Sequence, residues 1–227
     1  MTLWTGAVSG WAIARQIPRR DATVLARHER RWARVLLRSW AMEVEAHGLE
    51  RLPRGTRSVL VPNHQSYADV VALFHVLPEA PVFLAKKELR RIPFFGAAME
   101  TGGHVFVDRQ NRGRALEAMS EAAKGLRDGC PLVVFPEGTR RTGPALRPFK
   151  KGAFHLARGA HVPIVPIGIR GSLEAWPTGK SAPSPGGRIS IHVGEPFSAE
   201  RVARGDLDEL IAEVRAEVGR LSGLPLE

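Results

Sequence analysis

"VPNHQSYADV", residues 61–70, sets a histidine at the end of what reads as a strand and an aspartate five residues further on. Two readings compete: a proton-transfer pair, or a turn with an ordinary capped helix behind it. On one continuous helix, positions i and i+5 point about 140° apart and do not meet. A helix starting near Ser66 instead leaves His64 in the strand-to-helix turn and Asp69 in the first helical turn. The ring can then fold back and donate one nitrogen to Asp69, leaving the other as an acceptor for a hydroxyl, which is the tautomer a general base needs. Taken alone, H-x-x-x-x-D is a weak signal. It recurs by chance, and an aspartate near a positive helix N-terminus has an ordinary reason to be there.

The same strand–turn–helix pattern repeats along the chain. "RSVLVP" (57–62), "PVFLA" (81–85), "HVFVD" (104–108), "PLVVF" (131–135), "PIVPIGI" (163–169) and "RISIHVG" (188–194) read as short strands rich in β-branched residues. Helical stretches fit at 66–77, 110–128, 152–160 and 198–222, the last with Ser198 as N-cap and Gly223 as stop. The alternation predicts an α/β fold: a largely parallel central sheet flanked by helices, with loops at the strand C-terminal ends open to ligands. "PTGKSAPSPGGR" (177–188) reads as a loop within the domain, because the strand and helix after it are too small to fold alone.

The 227 residues suit one sizeable domain without disulfides or metals. Cysteine occurs once, at Cys130, so there is no disulfide framework and the chain reads as cytoplasmic. Lys+Arg 33 against Asp+Glu 23 gives a net charge of +10, which favours anionic partners: lipid headgroups, phosphates, nucleic acid or acidic proteins. No run approaches the roughly 20 apolar residues of a membrane-spanning helix. The N-terminal "MTLWTGAVSGWAIARQ" puts Trp4, Val8 and Trp11 on one helical face, and a second helical stretch runs from about Ala22 to Met42. There Arg27, Arg30, Arg31, Arg34 and Arg38 share one face, while Leu25, Trp32, Val35, Leu36 and Trp40 gather on the other. This basic amphipathic helix is either a solvated face over a buried stripe or an interfacial anchor on anionic lipid.

Two further stretches bear on His64. In "FPEGTRR" (135–141), Gly138 allows close backbone approach and Arg140 offers a planar fork for phosphate oxygens. "GHVFVDR" (103–109) ends another strand with Arg109 beside Asp108. Two arginines at neighbouring strand ends can converge on one phosphate; singly, each reads equally as a surface turn or ion pair. "NHQSYAD", "GHVFVDR", "FPEGTR" and "VPIVPIGI" (162–169), in that order, resemble the four motif blocks of the glycerolipid acyltransferase family, whose central members are 1-acylglycerol-3-phosphate acyltransferases. "LAKKELRRIPFFG" (84–96) is also similar to that family, and the resemblance covers about residues 40–200.

The resemblance implies that His64 is the general base on an acceptor hydroxyl and Asp69 its orienting partner. Arg109, Glu137, Gly138 and Arg140 would hold the acceptor's phosphate and glycerol. It implies transfer of a fatty acyl group from acyl-CoA or acyl-carrier protein, as co-substrate, to the sn-2 hydroxyl of lysophosphatidic acid, with no covalent intermediate and no cofactor. Backbone N–H groups around "VPIVPIG" become candidate oxyanion donors, although Pro163 and Pro166 have none. Residues 1–42 then form an N-terminal helical, membrane-associating segment and 43–227 the acyltransferase domain, peripheral on the cytoplasmic face of an anionic membrane. Arg141 and Thr142 stand where many relatives carry serine. Two alternatives stay open: the same chemistry on another acceptor, such as a lyso-ornithine lipid, and a non-catalytic basic module for membrane or nucleic acid. The remaining histidines show no metal-ligand spacing, and no G-x-S-x-G elbow is present, so neither a metal nor a serine nucleophile is expected.

Overall fold

The computed structural model describes residues 22–53, 55, 57–92, 95–108, 126, 130–140 and 143–227. Its centre is a seven-stranded sheet in the order β1-β7-β6-β2-β5-β3-β4. The strands are β1 (Glu43–His47), β2 (Val59–Pro62), β3 (Val82–Lys86), β4 (Val105–Val107), β5 (Leu132–Val133), β6 (Ile164–Arg170) and β7 (Arg188–Val193). Neighbours run parallel except β6 and β7, which are antiparallel. The fold is therefore α/β with a largely parallel sheet. Every residue of β2 is buried, as expected of a parallel strand covered on both faces. β1, at the sheet edge, alternates between exposed and half-buried positions instead.

Helices cover both faces. On one lie α1 (Ala22–Ser39), α2 (Ala68–Val76) and the short α5 (Ser172–Ala175), around a core that includes Leu37, Leu73, Phe74, Ile167 and Ile191. On the other lie α4 (Gly152–Ala160), α6 (Ala199–Arg204) and α7 (Leu207–Ser222), around Phe154, Ile164, Leu210 and Val214. A further α-helix, α3 (Phe95–Thr101), precedes β4. Gly168 lets α7 press onto β6: a Cβ there would lie 2.3 Å from the Leu221 carbonyl carbon. α1 packs on α2 through Trp32, whose ring meets Phe74 edge-on at 5.8 Å.

Several expectations need adjustment. α2 begins at Ala68 behind Tyr67 rather than near Ser66, which keeps Asp69 in its first turn. The stretch 198–222 forms two helices, because Asp206 starts a second one by accepting the N–H groups of Asp208 and Glu209. Ser198 does cap the first and Gly223, at φ 72°, ends the second. Arg30 does not join the outward arginine face: its Nη2 donates to the Leu77 and Pro78 carbonyls beyond the C-terminus of α2, at 2.7 and 2.9 Å. Arg27, Arg31, Arg34 and Arg38 remain exposed along α1. Trp4, Val8 and Trp11, and all of the 110–128 helical stretch but Leu126, lie outside the described residues.

Candidate active site

β2 ends at Pro62, and Asn63 and His64 carry the chain across the C-terminal edge of the parallel strands before α2 begins. Asn63 is fully buried and extends the sheet with its side chain: Nδ2 donates to the Ile169 carbonyl at 2.9 Å, and the Ile169 N–H donates to Oδ1 at 2.7 Å. The turn is thus tied to β6. His64 follows, and its ring stacks on Phe135 beyond β5, with centroids 3.9 Å apart and planes at 21°.

The ring folds back over the helix start. Its Nδ1 lies 2.8 Å from Asp69 Oδ2, which also accepts the N–H groups of Gln65 and Ser66 at 2.8 Å each. The Asp69 side chain is 0% exposed and that of His64 12%. Nδ1–H donating to Asp69 leaves Nε2 with a lone pair, and Nε2 has no protein partner among the described residues. Ser66 closes the turn, its Oγ donating to the Trp176 carbonyl and accepting the Ala68 N–H. A buried carboxylate thus fixes the orientation and tautomer of an imidazole whose other nitrogen is left open.

The second loop comes from β5. Glu137 is nearly buried, and its Oε1 accepts the His64 N–H at 2.8 Å while Oε2 accepts the Arg147 N–H at 3.3 Å. These contacts make Glu137 a strap between the two loops. Gly138 adopts φ 75°, a conformation that calls for glycine, and the flexible end of the Lys150 side chain lies against it. Arg140 lies over the ring of Tyr67, Cζ 3.5 Å from the centroid. The structure therefore joins His64, Asp69, Glu137, Gly138 and Arg140 in one strand-end site. Arg109, with Arg141 and Thr142, lies outside the described residues. In the "VPIVPIG" run, Ile164 N–H donates to the Phe197 carbonyl, and Ile169 N–H just beyond it donates to Asn63, while β6 is flanked by β2 and β7.

Sequence reasoning did not find Tyr67, Trp176 or the backbone roles of Asn63 and Glu137. Asn63 and Tyr67 sit inside the quoted motif, but their partners are 106 and 73 residues away, and no local periodicity announces such meetings.

A family model described as Acyltransferase matches residues 43–170. The chain is 37% identical over 177 residues to 1-acyl-sn-glycerol-3-phosphate acyltransferase alpha of Homo sapiens, covering 78% of this chain and 62% of the relative. With 1-acyl-sn-glycerol-3-phosphate acyltransferase of Haemophilus influenzae it shares 36% identity over 156 residues, 66% of this chain and 65% of the relative. The chain thus matches somewhat under two thirds of the length of these relatives. Its fold is that of PlsC from Thermotoga maritima, a 1-acyl-sn-glycerophosphate (LPA) acyltransferase: TM-score 0.81, 24% identity, covering 98% of this chain and 95% of that one.

Proposed function

The chain belongs to the acyltransferase family, and from that premise we propose that it transfers a fatty acyl group to the sn-2 hydroxyl of 1-acyl-glycerol-3-phosphate, giving phosphatidic acid. The observation that carries this reading is the His64 ring, held through Nδ1 by buried Asp69 with Nε2 left without a partner among the described residues. An alcohol near neutral pH is a poor nucleophile, so attack on a thioester carbonyl requires a base at the hydroxyl. Nε2 takes the hydroxyl proton as the oxygen attacks; the tetrahedral intermediate then expels the donor thiolate, which takes the proton. The acyl group passes directly between substrates. Acyl-CoA or acyl-carrier protein serves as donor, and no cofactor takes part.

In this reading Arg140 meets the acceptor's phosphate and Arg109 is the second arginine. The strands that precede them, β5 and β4, are not the neighbours that the sequence suggested, because β3 lies between them. Glu137 acts chiefly by holding the two loops together, with Gly138 leaving room for Lys150 beside it. The enzyme works on a membrane surface from the cytoplasmic side, and the exposed guanidinium groups of Arg27, Arg31, Arg34 and Arg38 meet anionic headgroups. No described helix is long and apolar enough to cross a membrane. Changing Arg27, Arg31 and Arg34 to Gln is expected to reduce cosedimentation with anionic vesicles, since each basic side chain near such a surface contributes about 1 kcal/mol.

The test of the activity is a panel of lyso-acceptors incubated with labelled acyl-CoA and with labelled acyl-carrier protein, read by mass spectrometry. Labelled phosphatidic acid is the expected dominant product. Labelled ornithine lipid in its place would move the activity to another acceptor. Salt-sensitive DNA binding without any transfer would indicate a binding module.

A further inference from the structure

Besides the stacking of His64 on Phe135, the two loops meet twice more at the strand ends. The first meeting is the hydrogen bond from the His64 N–H to Glu137. Three residues beyond it on each loop, Tyr67 and Arg140 come face to face, the guanidinium carbon 3.5 Å from the ring centroid. Tyr67 is the chain's single tyrosine, and at 45% exposure it is one of few large apolar side chains left in solvent among the described residues. Its ring is buttressed by Trp176, with centroids 5.5 Å apart. Trp176 is itself held on three sides: its Nε1 donates to the Lys180 carbonyl, its carbonyl accepts from Ser66 Oγ, and its ring meets Trp40 at 5.2 Å.

Arg140 has no carboxylate partner among the described residues; its side chain is held by an aromatic face alone. Such stacking occupies the flat face of the guanidinium and leaves its N–H edges free for an anion. A carboxylate in the same place would occupy those edges and cancel the charge. An exposed tyrosine on a rigid support, three residues beyond His64 and carrying an arginine with unengaged edges, suits a phosphate-facing fork.

We propose that Tyr67 is the positioning residue for Arg140 and thereby sets the preference for a phosphorylated acceptor. This rests on the acyl-transfer reading above and adds a residue to it. Tyr67 touches neither the reacting hydroxyl nor the acyl group. It acts by fixing where the guanidinium stands, so its loss weakens acceptor binding and leaves the chemical step in place. Phe and Trp offer the same face and substitute for it; Leu does not.

The experiment compares wild type, Tyr67→Leu, Tyr67→Phe, Arg140→Ala and the double variant Tyr67→Leu/Arg140→Ala. Each is assayed on lysophosphatidic acid and on a monoacylglycerol of the same chain. Tyr67→Leu is expected to raise KM for lysophosphatidic acid roughly three- to ten-fold, with kcat and the monoacylglycerol rate little changed. Tyr67→Phe is expected to restore wild-type KM, and the double variant to be no worse than Arg140→Ala. A second arm labels the single tyrosine ring with ¹³C and titrates glycerol 3-phosphate by NMR; a saturable shift is expected in wild type and none in Arg140→Ala. An unchanged KM in Tyr67→Leu, equal losses on both acceptors, additive losses in the double variant, or no shift in wild type would each overturn the proposal. Should wild type fail to acylate lysophosphatidic acid while the shift saturates, the acyl-transfer reading falls and the Tyr67–Arg140 anion site stands.

Discussion

Among the described residues, His64 with Asp69 and His104 with Glu29 are both histidine–carboxylate pairs in buried surroundings, unlike the exposed His47–Glu45 pair, and the two are built differently. His64 uses Nδ1 at 2.8 Å on a carboxylate oxygen braced by two further N–H groups, and its Nε2 has no partner among the described residues. In His104 both nitrogens are engaged: Nδ1 accepts the Phe83 N–H at 3.2 Å, and Nε2 lies 3.4 Å from Glu29 Oε1. Its side chain is only 4% exposed. The Glu29 side chain is 13% exposed with Oε2 unpartnered, and burial raises its pKa, with the contact to His104 acting the other way. A histidine beside a carboxylate is thus no signature in itself. Both carboxylates leave one oxygen without a partner, Asp69 Oδ1 and Glu29 Oε2. The pairs differ in the nitrogen left open on His64 and in the two N–H groups that Asp69 Oδ2 accepts, whereas His104 ties α1 to the start of β4.

The largest way to break the comparison within the first pair is Asp69→Asn. It removes the control of the His64 tautomer and is expected to lower kcat by roughly 10²–10⁴-fold with little change in KM; a loss confined to KM would place Asp69 in acceptor binding instead. Next comes Arg140. Each charge-assisted contact is worth about 1.5–3 kcal/mol, so Arg140→Ala is expected to weaken lysophosphatidic acid far more than monoacylglycerol, with Arg140→Lys also impaired for want of the planar fork. Equal losses on both acceptors would return this arginine to the fold.

The second pair is expected to answer in stability. His104→Ala strands the Phe83 N–H and Glu29 in a buried place, a cost of about 1–3 kcal/mol. A lower Tm with turnover retained in the folded fraction is the expected result; lost turnover at unchanged Tm would make His104 part of the chemistry. Glu29→Gln carries the smallest effect. A raised folded pKa means that the contribution of Glu29 to stability is complete below its ordinary value of 4.5 and is lost as pH rises through the raised value. Glutamine keeps an acceptor for His104 and does not titrate. The stability of the Glu29→Gln variant relative to wild type is therefore expected to improve as pH rises from about 4 to 7 in thermal melts, and a constant difference would contradict the burial account.

Much of this architecture was legible because parallel strands are covered on both faces and read as apolar runs. "VLVP" and "IVPIGI" announce themselves in that way. "EVEAH" does not: β1 is an edge strand whose side chains are exposed or half-buried, so its pattern carries no comparable signal. The antiparallel β6–β7 pairing is equally silent, since strand direction is decided by the connection across 171–187. His64 and Asp69 were legible because the turn and the first helical turn bring them together locally. The inward turn of Arg30 was not, because its carbonyl partners come from the far end of another helix. Likewise the backbone contacts of Glu137, whose carboxylate accepts the His64 and Arg147 N–H groups, were not legible, because only the folded sheet brings them near.

The central claim is that His64 Nε2 takes the proton of the acceptor hydroxyl, and His64→Ala tests it most directly. The variant's circular dichroism and thermal midpoint would be matched to wild type, and labelled phosphatidic acid formed from lysophosphatidic acid would then be quantified by mass spectrometry. A wild-type fold with nearly all transfer lost is the predicted result. Near-normal turnover by the folded variant would contradict the account.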